Sequence, residues 1–214
     1  MLSELTSRQL RQAVVAELVG TFFLTLAALI SGGPFAVALV LLIFVYSLGL
    51  LNGGSLNPAV SLGLMISRHI SLTRGVLYIV AEIVGALVAR LLAPLVAPLP
   101  LQYSAANGVG EFLGFGLLML AVLAALGKYL PNVDSGLVVG GALLAGLLTT
   151  NGLLNPAVAI AMGQATSAPW ALWAPLLAAI VFTIILGLNT GFHAANLTPA
   201  VAQDSPAPEQ RRAA

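Results

Sequence analysis

The chain contains no cysteine, which excludes disulfides, thiol nucleophiles and iron–sulfur clusters together. Charge is almost as scarce: Asp, Glu, Lys and Arg make up 7% of 214 residues, against about 25% in soluble domains. So few charges cannot coat a globular surface in water, so the outer surface must face lipid. Histidine occurs only at His69 and His193, and no metal-binding cluster of side chains is visible, so neither a metal nor a cofactor is expected. A net charge of +1 with no basic cluster gives no reason to expect nucleic acid as a partner. What remains is apolar: 59% hydrophobic residues, with a mean hydropathy of +1.04.

A membrane-spanning helix needs about 20 apolar residues. Six such segments occur, near 12–31, 34–52, 75–97, 109–127, 134–151 and 169–190. The first continues to residue 30 without a convincing cleavage site and reads as a span, not a removed leader. Two further apolar stretches, 57–67 and 155–165, are too short to cross. Eleven helical residues rise only about 16 Å, roughly half of the hydrocarbon core of about 30 Å. Both are expected to be re-entrant half-helices.

The two short stretches begin alike. Leu56-Asn57-Pro58-Ala59-Val60 is repeated as Leu154-Asn155-Pro156-Ala157-Val158. Upstream, Ala16-Glu17-Leu18-Val19-Gly20 is matched by Gly110-Glu111-Phe112-Leu113-Gly114. Two motifs recurring in one order at nearly one offset mark an internal duplication, with repeats at 12–97 and 98–192. Residues 1–11 form an N-terminal segment, and 193–214, rich in Ala, Pro, Gln and charge, form a tail expected to be disordered. Each repeat holds three spans, an odd number, so the second must enter the membrane inverted. The fold class is therefore an all-α membrane protein of six spans and two half-helices. With the termini in the cytoplasm, Arg8, Arg11, Arg68, Arg74, Lys128, Arg211 and Arg212 fall inside and only Arg90 outside, as the positive-inside rule requires.

Asn is a favoured N-cap and Pro a favoured first helical residue, so Asn-Pro-Ala is a helix start. Two such starts meeting at the membrane midplane bring two positive helix-dipole ends together. With each side-chain oxygen held by backbone, Asn57 and Asn155 can turn amide N–H groups toward a passing solute. A neutral polar molecule can accept those bonds, whereas a cation meets positive potential from both sides. The stretches before the boxes, with Gly53, Gly54, Ser55 and Leu56 in one repeat and Asn151, Gly152 and Leu153 in the other, cannot pair as helix. At membrane depth such backbone is tolerated only against protein or a water-filled cavity, so their carbonyls are expected to line a pore.

Three acids fall within spans: Glu17, Glu82 and Glu111. The repeat-related positions of Glu17 and Glu111 favour a structural role, each accepting backbone N–H groups from its own re-entrant loop; Glu82 is left open. His69 and His193 are expected near interfaces, and Trp170, Trp173 and Tyr78 in an aromatic belt. Small residues such as Gly85, Gly114, Gly116, Gly140, Gly141 and Gly146 suit close helix crossings.

With paired Asn-Pro-Ala boxes, Ala16-Glu17-Leu18-Val19-Gly20-Thr21-Phe22 and Tyr78-Ile79-Val80-Ala81-Glu82-Ile83-Val84-Gly85-Ala86, the chain resembles the major intrinsic protein family of aquaporins and glycerol facilitators over about 12–192. Glu82 stands where that family commonly has Gln. The resemblance implies a passive channel for water or small uncharged solutes in a lipid bilayer, a homotetramer with one pore per subunit, and residence in the plasma (inner) membrane. It also implies filter positions at Val37, Leu143, Gly152 and Val158. Typical water channels carry an aromatic residue, His and Arg there; Val158 replaces the Arg, and the Asp usual in glycerol facilitators is also missing. Loss of a cation at about 4 Å removes about 4 kcal/mol of repulsion at an effective dielectric of 20, so the filter should be less hostile to cations than usual. No nucleophile or general base points to an enzyme. The alternative is a proton-coupled transporter using Glu17, Glu82 and Glu111.

Overall fold

The computed structural model describes residues 6–31, 33–99, 107–127 and 135–190. His193, Lys128, Arg211, Arg212 and the tail over 193–214 lie outside them. Every regular element among the described residues is helical. In the first repeat these are α1 (Ser7–Ser31), α2 (Pro34–Leu48), α3 (Pro58–Ile66) and α4 (Leu72–Val96). In the second they are α5 (Gly108–Leu126), α6 (Ser135–Thr150), α7 (Pro156–Ala161), α8 (Gln164–Ser167) and α9 (Trp170–Thr190).

Among the described residues three helices, α1, α4 and α5, are long and apolar enough to cross a membrane. The 15-residue α2 and the 16-residue α6 are apolar but shorter. The sequence suggested a span over 34–52, but the helix stops at Gly49, whose φ of +78° leaves the helical region, and a 3-10 turn carries the chain on through Leu50–Asn52. The second half-helix is shorter than the expected 155–165. The first covers Pro58–Ile66, and the second ends at Ala161, because Gly163 adopts φ +75° and begins the separate short turn of α8.

The packing interleaves the repeats. Within each repeat the first and last long helices pair, α1 with α4 and α5 with α9, while α2 packs on α6 across the repeat boundary. The half-helices are exchanged as well: α3 lies against α9 as well as α4, and α7 against α4 as well as α9. Close approach depends on small residues. A Cβ on Gly85 would run into the Leu18 carbonyl oxygen on α1, and one on Gly146 would meet the Gly114 carbonyl oxygen at 2.9 Å. Gly141 is different, with open space where a side chain would stand.

Tyr78 does not belong to a belt. It is completely buried, and its hydroxyl accepts a hydrogen bond from Arg74 Nε at 2.8 Å, one turn away on the same helix. An amphipathic ring settles inside once its polar end has a partner. Trp173 is exposed and Trp170 partly so. His69 sits in the connection between α3 and α4, with Nδ1 2.8 Å from Ser67 Oγ, and burial pushes its pKa below 6.5.

Candidate pore between the two Asn-Pro-Ala loops

Asn57 and Asn155 each lie in extended backbone immediately before a half-helix, and each side-chain oxygen accepts the N–H two residues on, from Ala59 and Ala157, at 3.0 Å. These bonds fix which end of each amide is oxygen. The nitrogens then reach across the repeat boundary. Asn57 Nδ2 donates to the Leu154 carbonyl and Asn155 Nδ2 to the Leu56 carbonyl, both at 2.8 Å. Each amide nitrogen carries two hydrogens, so one N–H per Asn is left after the cross-bond.

The residue preceding each Asn makes the geometry possible. Leu56 and Leu154 adopt φ of +49° and +55°, a left-handed conformation rare for non-glycine residues and costing about 1–3 kcal/mol each. That twist is held from both sides. The Leu56 N–H donates to Glu17 Oε2 at 2.7 Å while its carbonyl receives Asn155; the Leu154 N–H donates to Glu111 Oε2 at 2.8 Å while its carbonyl receives Asn57. The preceding N–H groups follow suit, Ser55 to Glu17 at 3.0 Å and Leu153 to Glu111 at 2.7 Å. Both acids are fully buried. Each carboxylate therefore collects the N–H groups that an extended loop cannot pair internally. The repeat symmetry extends to the Leu side chains. Leu56 fills the space beside Gly20 and Leu154 the space beside Gly114, and each of these glycines follows its repeat's acid by three residues.

Between the loops lies a cavity of about 10 Å³, room for one water at most. Ser55, Leu56, Asn57, Leu153 and Asn155 line it from the loops, and Leu24, Val37, Leu41, Leu118 and Leu143 from α1, α2, α5 and α6. Of the four positions anticipated as a filter, Val37 and Leu143 are brought together at this lumen. Gly152 and Val158 are buried but lie outside its lining; a Cβ on Gly152 would come within 3.3 Å of the Glu111 carboxyl carbon. Gly53 packs on α1, where a Cβ would meet the Ala13 carbonyl oxygen at 2.7 Å, and Gly54 packs on the Gly49 carbonyl. Neither lines the cavity, and Asn151 is exposed. Leu24 and Leu118 were not singled out in the sequence, although they sit seven residues after Glu17 and Glu111, at equivalent places in the two repeats.

The family model for the major intrinsic proteins matches residues 4–202. The chain belongs to that family. Among relatives of this major intrinsic protein, aquaporin PIP2-5 of Zea mays is 35% identical over 104 residues, 37% of this chain and 36% of the relative. Probable aquaporin PIP2-7 of Oryza sativa is 28% identical over 156 residues, 58% of this chain and 54% of the relative. Aquaporin-7 of Botryotinia fuckeliana is 29% identical over 150 residues, 61% of this chain and 33% of the relative. The chain thus spans between a third and about half of the length of these relatives. The aquaglyceroporin of Plasmodium falciparum has the same fold, with a TM-score of 0.60 at 23% identity, covering 83% of this chain and 95% of that one. This major intrinsic protein is accordingly a multi-pass integral membrane protein with the aquaporin-like all-α architecture.

Proposed function

We propose that the protein is a passive channel for water or small uncharged solutes, conducting through the lumen between the two Asn-Pro-Ala loops. The observation that carries this reading is the reciprocal bonding of Asn57 and Asn155, which sets one free N–H donor of each amide at a single narrow cavity. In our reading Asn57, Pro58, Ala59, Asn155, Pro156 and Ala157 form the constriction, Ser55, Leu56 and Leu153 its polar backbone, and Val37, Leu143, Gly152 and Val158 a filter without fixed charge. Glu17 and Glu111 are structural acids that hold the loops. The relatives' aquaporin names support the same solute class. With an apolar wall and few donors, water should pass slowly and small neutral solutes relatively well.

A coupled transporter would need acids free to exchange protons with solute from both repeats. Glu111 is engaged by two backbone N–H groups, and nothing favours that alternative. The chain functions, in our proposal, as a homotetramer in the plasma (inner) membrane with cytoplasmic termini, one pore in each subunit.

Stopped-flow light scattering on proteoliposomes, with water, glycerol, urea and ammonia gradients, tests the channel. Downhill flux above that of empty vesicles for at least one of them is expected. Permeability equal to that of empty vesicles for all four overturns the proposal. Val158→Arg tests the filter assignment: unchanged solute and proton flux would remove Val158 from it.

A further inference from the structure

Glu82 on α4 takes no part in the bonds that cross the repeat boundary, yet it is completely buried. Its Oε1 accepts the Asn57 backbone N–H at 3.0 Å and lies 2.8 Å from Ser61 Oγ and 3.0 Å from Ser55 Oγ. Ser55 Oγ also touches Glu17 Oε1 and lies 3.0 Å from Ser61 Oγ. Four oxygen–oxygen contacts thus join two carboxyls and two hydroxyls. Each contact at hydrogen-bonding distance needs a hydrogen between its oxygens, and the two hydroxyls supply one apiece. With both carboxyls ionised, two of the four contacts would set lone pairs against lone pairs; one retained proton reduces these to one.

A second observation points the same way. Glu82 Oε2 is shielded from solvent and has no hydrogen-bond partner. An ionised carboxylate carries charge on both oxygens, and a buried anionic oxygen without a donor is costly. The surroundings supply no relief. Of the elements packed on this part of α4, α1 presents Glu17, another acid, and neither α3 nor α7 contains a titratable side chain. On α4 itself Tyr78 is one turn away with Arg74 on its hydroxyl, and Arg90 is exposed two turns beyond.

We propose that Glu17, Ser55, Ser61 and Glu82 share one retained proton, and that this proton keeps Asn57 at the lumen. Glu82 is then a positioning residue acting through the Asn57 N–H and the two serines. Ser55 belongs both to this cluster and to the lining of the cavity, so the cluster is joined to the lumen through a single residue. When alkali removes the proton, hydroxide takes it and becomes water, leaving both carboxyls ionised. Two anions then face each other with only two hydroxyl hydrogens between them, and the grip on the first loop loosens. The second repeat has no such device, because Leu153 and Ala159 occupy the places of Ser55 and Ser61. The pore is therefore gated by alkali from one loop only.

The flux part of this inference rests on the channel reading; the proton part does not. Proteoliposome flux is measured against pH for the native chain, Glu82→Leu and Glu82→Gln. Glu82→Leu is expected to lower flux at every pH. Glu82→Gln keeps the acceptor oxygen and the neutral form without a proton to lose, and should keep neutral-pH flux with a flat profile. Native flux should fall by about tenfold per pH unit beyond its transition, the slope of a single proton. Infrared spectra of the same proteins in nanodiscs should show a carboxylic-acid C=O band that shifts in D2O, is missing in Glu82→Gln, and disappears from the native chain at the alkaline transition. Parallel pH profiles for the native chain and Glu82→Gln, or the absence of that band, overturn the proposal. The band without any flux would retain the proton and overturn the channel instead.

Discussion

At the scale of single residues, the buried acids of this protein look alike but differ in what they can tolerate. Both oxygens of Glu111 receive backbone N–H groups, from Leu153 and Leu154. Glu111→Gln puts an NH2 group against one of those donors and leaves a buried N–H unpaired. A loss of about 1–3 kcal/mol is expected, read as a lower unfolding midpoint in detergent. Glu82 uses one oxygen and leaves the other without a partner, so the same change there opposes no donor and should lower that midpoint by less than Glu111→Gln does. Asn57→Asp keeps the cap on Ala59 but replaces the donor to the Leu154 carbonyl with an acceptor. The cross-bond becomes a repulsion, and vesicle flux should drop well below that of the native chain. Rescue by added salt would argue for a surface electrostatic effect and against this account.

Among the helices, the glycines separate into those that set a crossing distance and those that do not. Gly85→Ala drives a Cβ into the Leu18 backbone, with the Leu18 carbonyl carbon and Phe22 nitrogen both at 3.1 Å. Because backbone cannot swing aside, a cost of about 1–3 kcal/mol is expected. Gly141→Ala meets nothing within 4 Å and should stabilise α6 by up to about 1 kcal/mol through helix propensity; paired unfolding curves decide both. The connection between α3 and α4 carries the pH-dependent term. Burial lowers the His69 pKa from 6.5, so the unfolded chain binds the proton more readily. Stability should fall as pH drops below about 6.5, and His69→Gln should flatten that slope in thermal scans. The half-helices were legible in the sequence because Asn-Pro-Ala is a start signal that needs no tertiary context. The ends of the second half-helix and of α2 were not, since Gly163 and Gly49 could have packed within a helix as Gly85 does. Leu24 and Leu118 were illegible for another reason. In a membrane helix the lipid face and the packed face are both apolar, so periodicity cannot separate a lumen leucine from its neighbours. Tyr78 could have been placed correctly from Arg74 four residues earlier, a spacing that puts the two on one helix face.

For the molecule as a whole, the duplication and the charge distribution were readable, and they make orientation testable with little engineering. A chain without cysteine accepts single reporters directly. Arg68→Cys, after the first half-helix, should react with an impermeant maleimide only from the cytoplasmic side. Ser167→Cys, after the second, should react only from outside; both positions are exposed. Labelling of both from one side would refute the inverted arrangement. The bonds between Leu56 and Asn155 also have a consequence for how the protein is made. Leu56 emerges from the ribosome 99 residues ahead of its partner, and Asn57 waits nearly as long for Leu154. Throughout that interval the first loop has its acid but no latch. A chain cut short before Leu154 lacks both cross-bonds and leaves the first loop held from one side only.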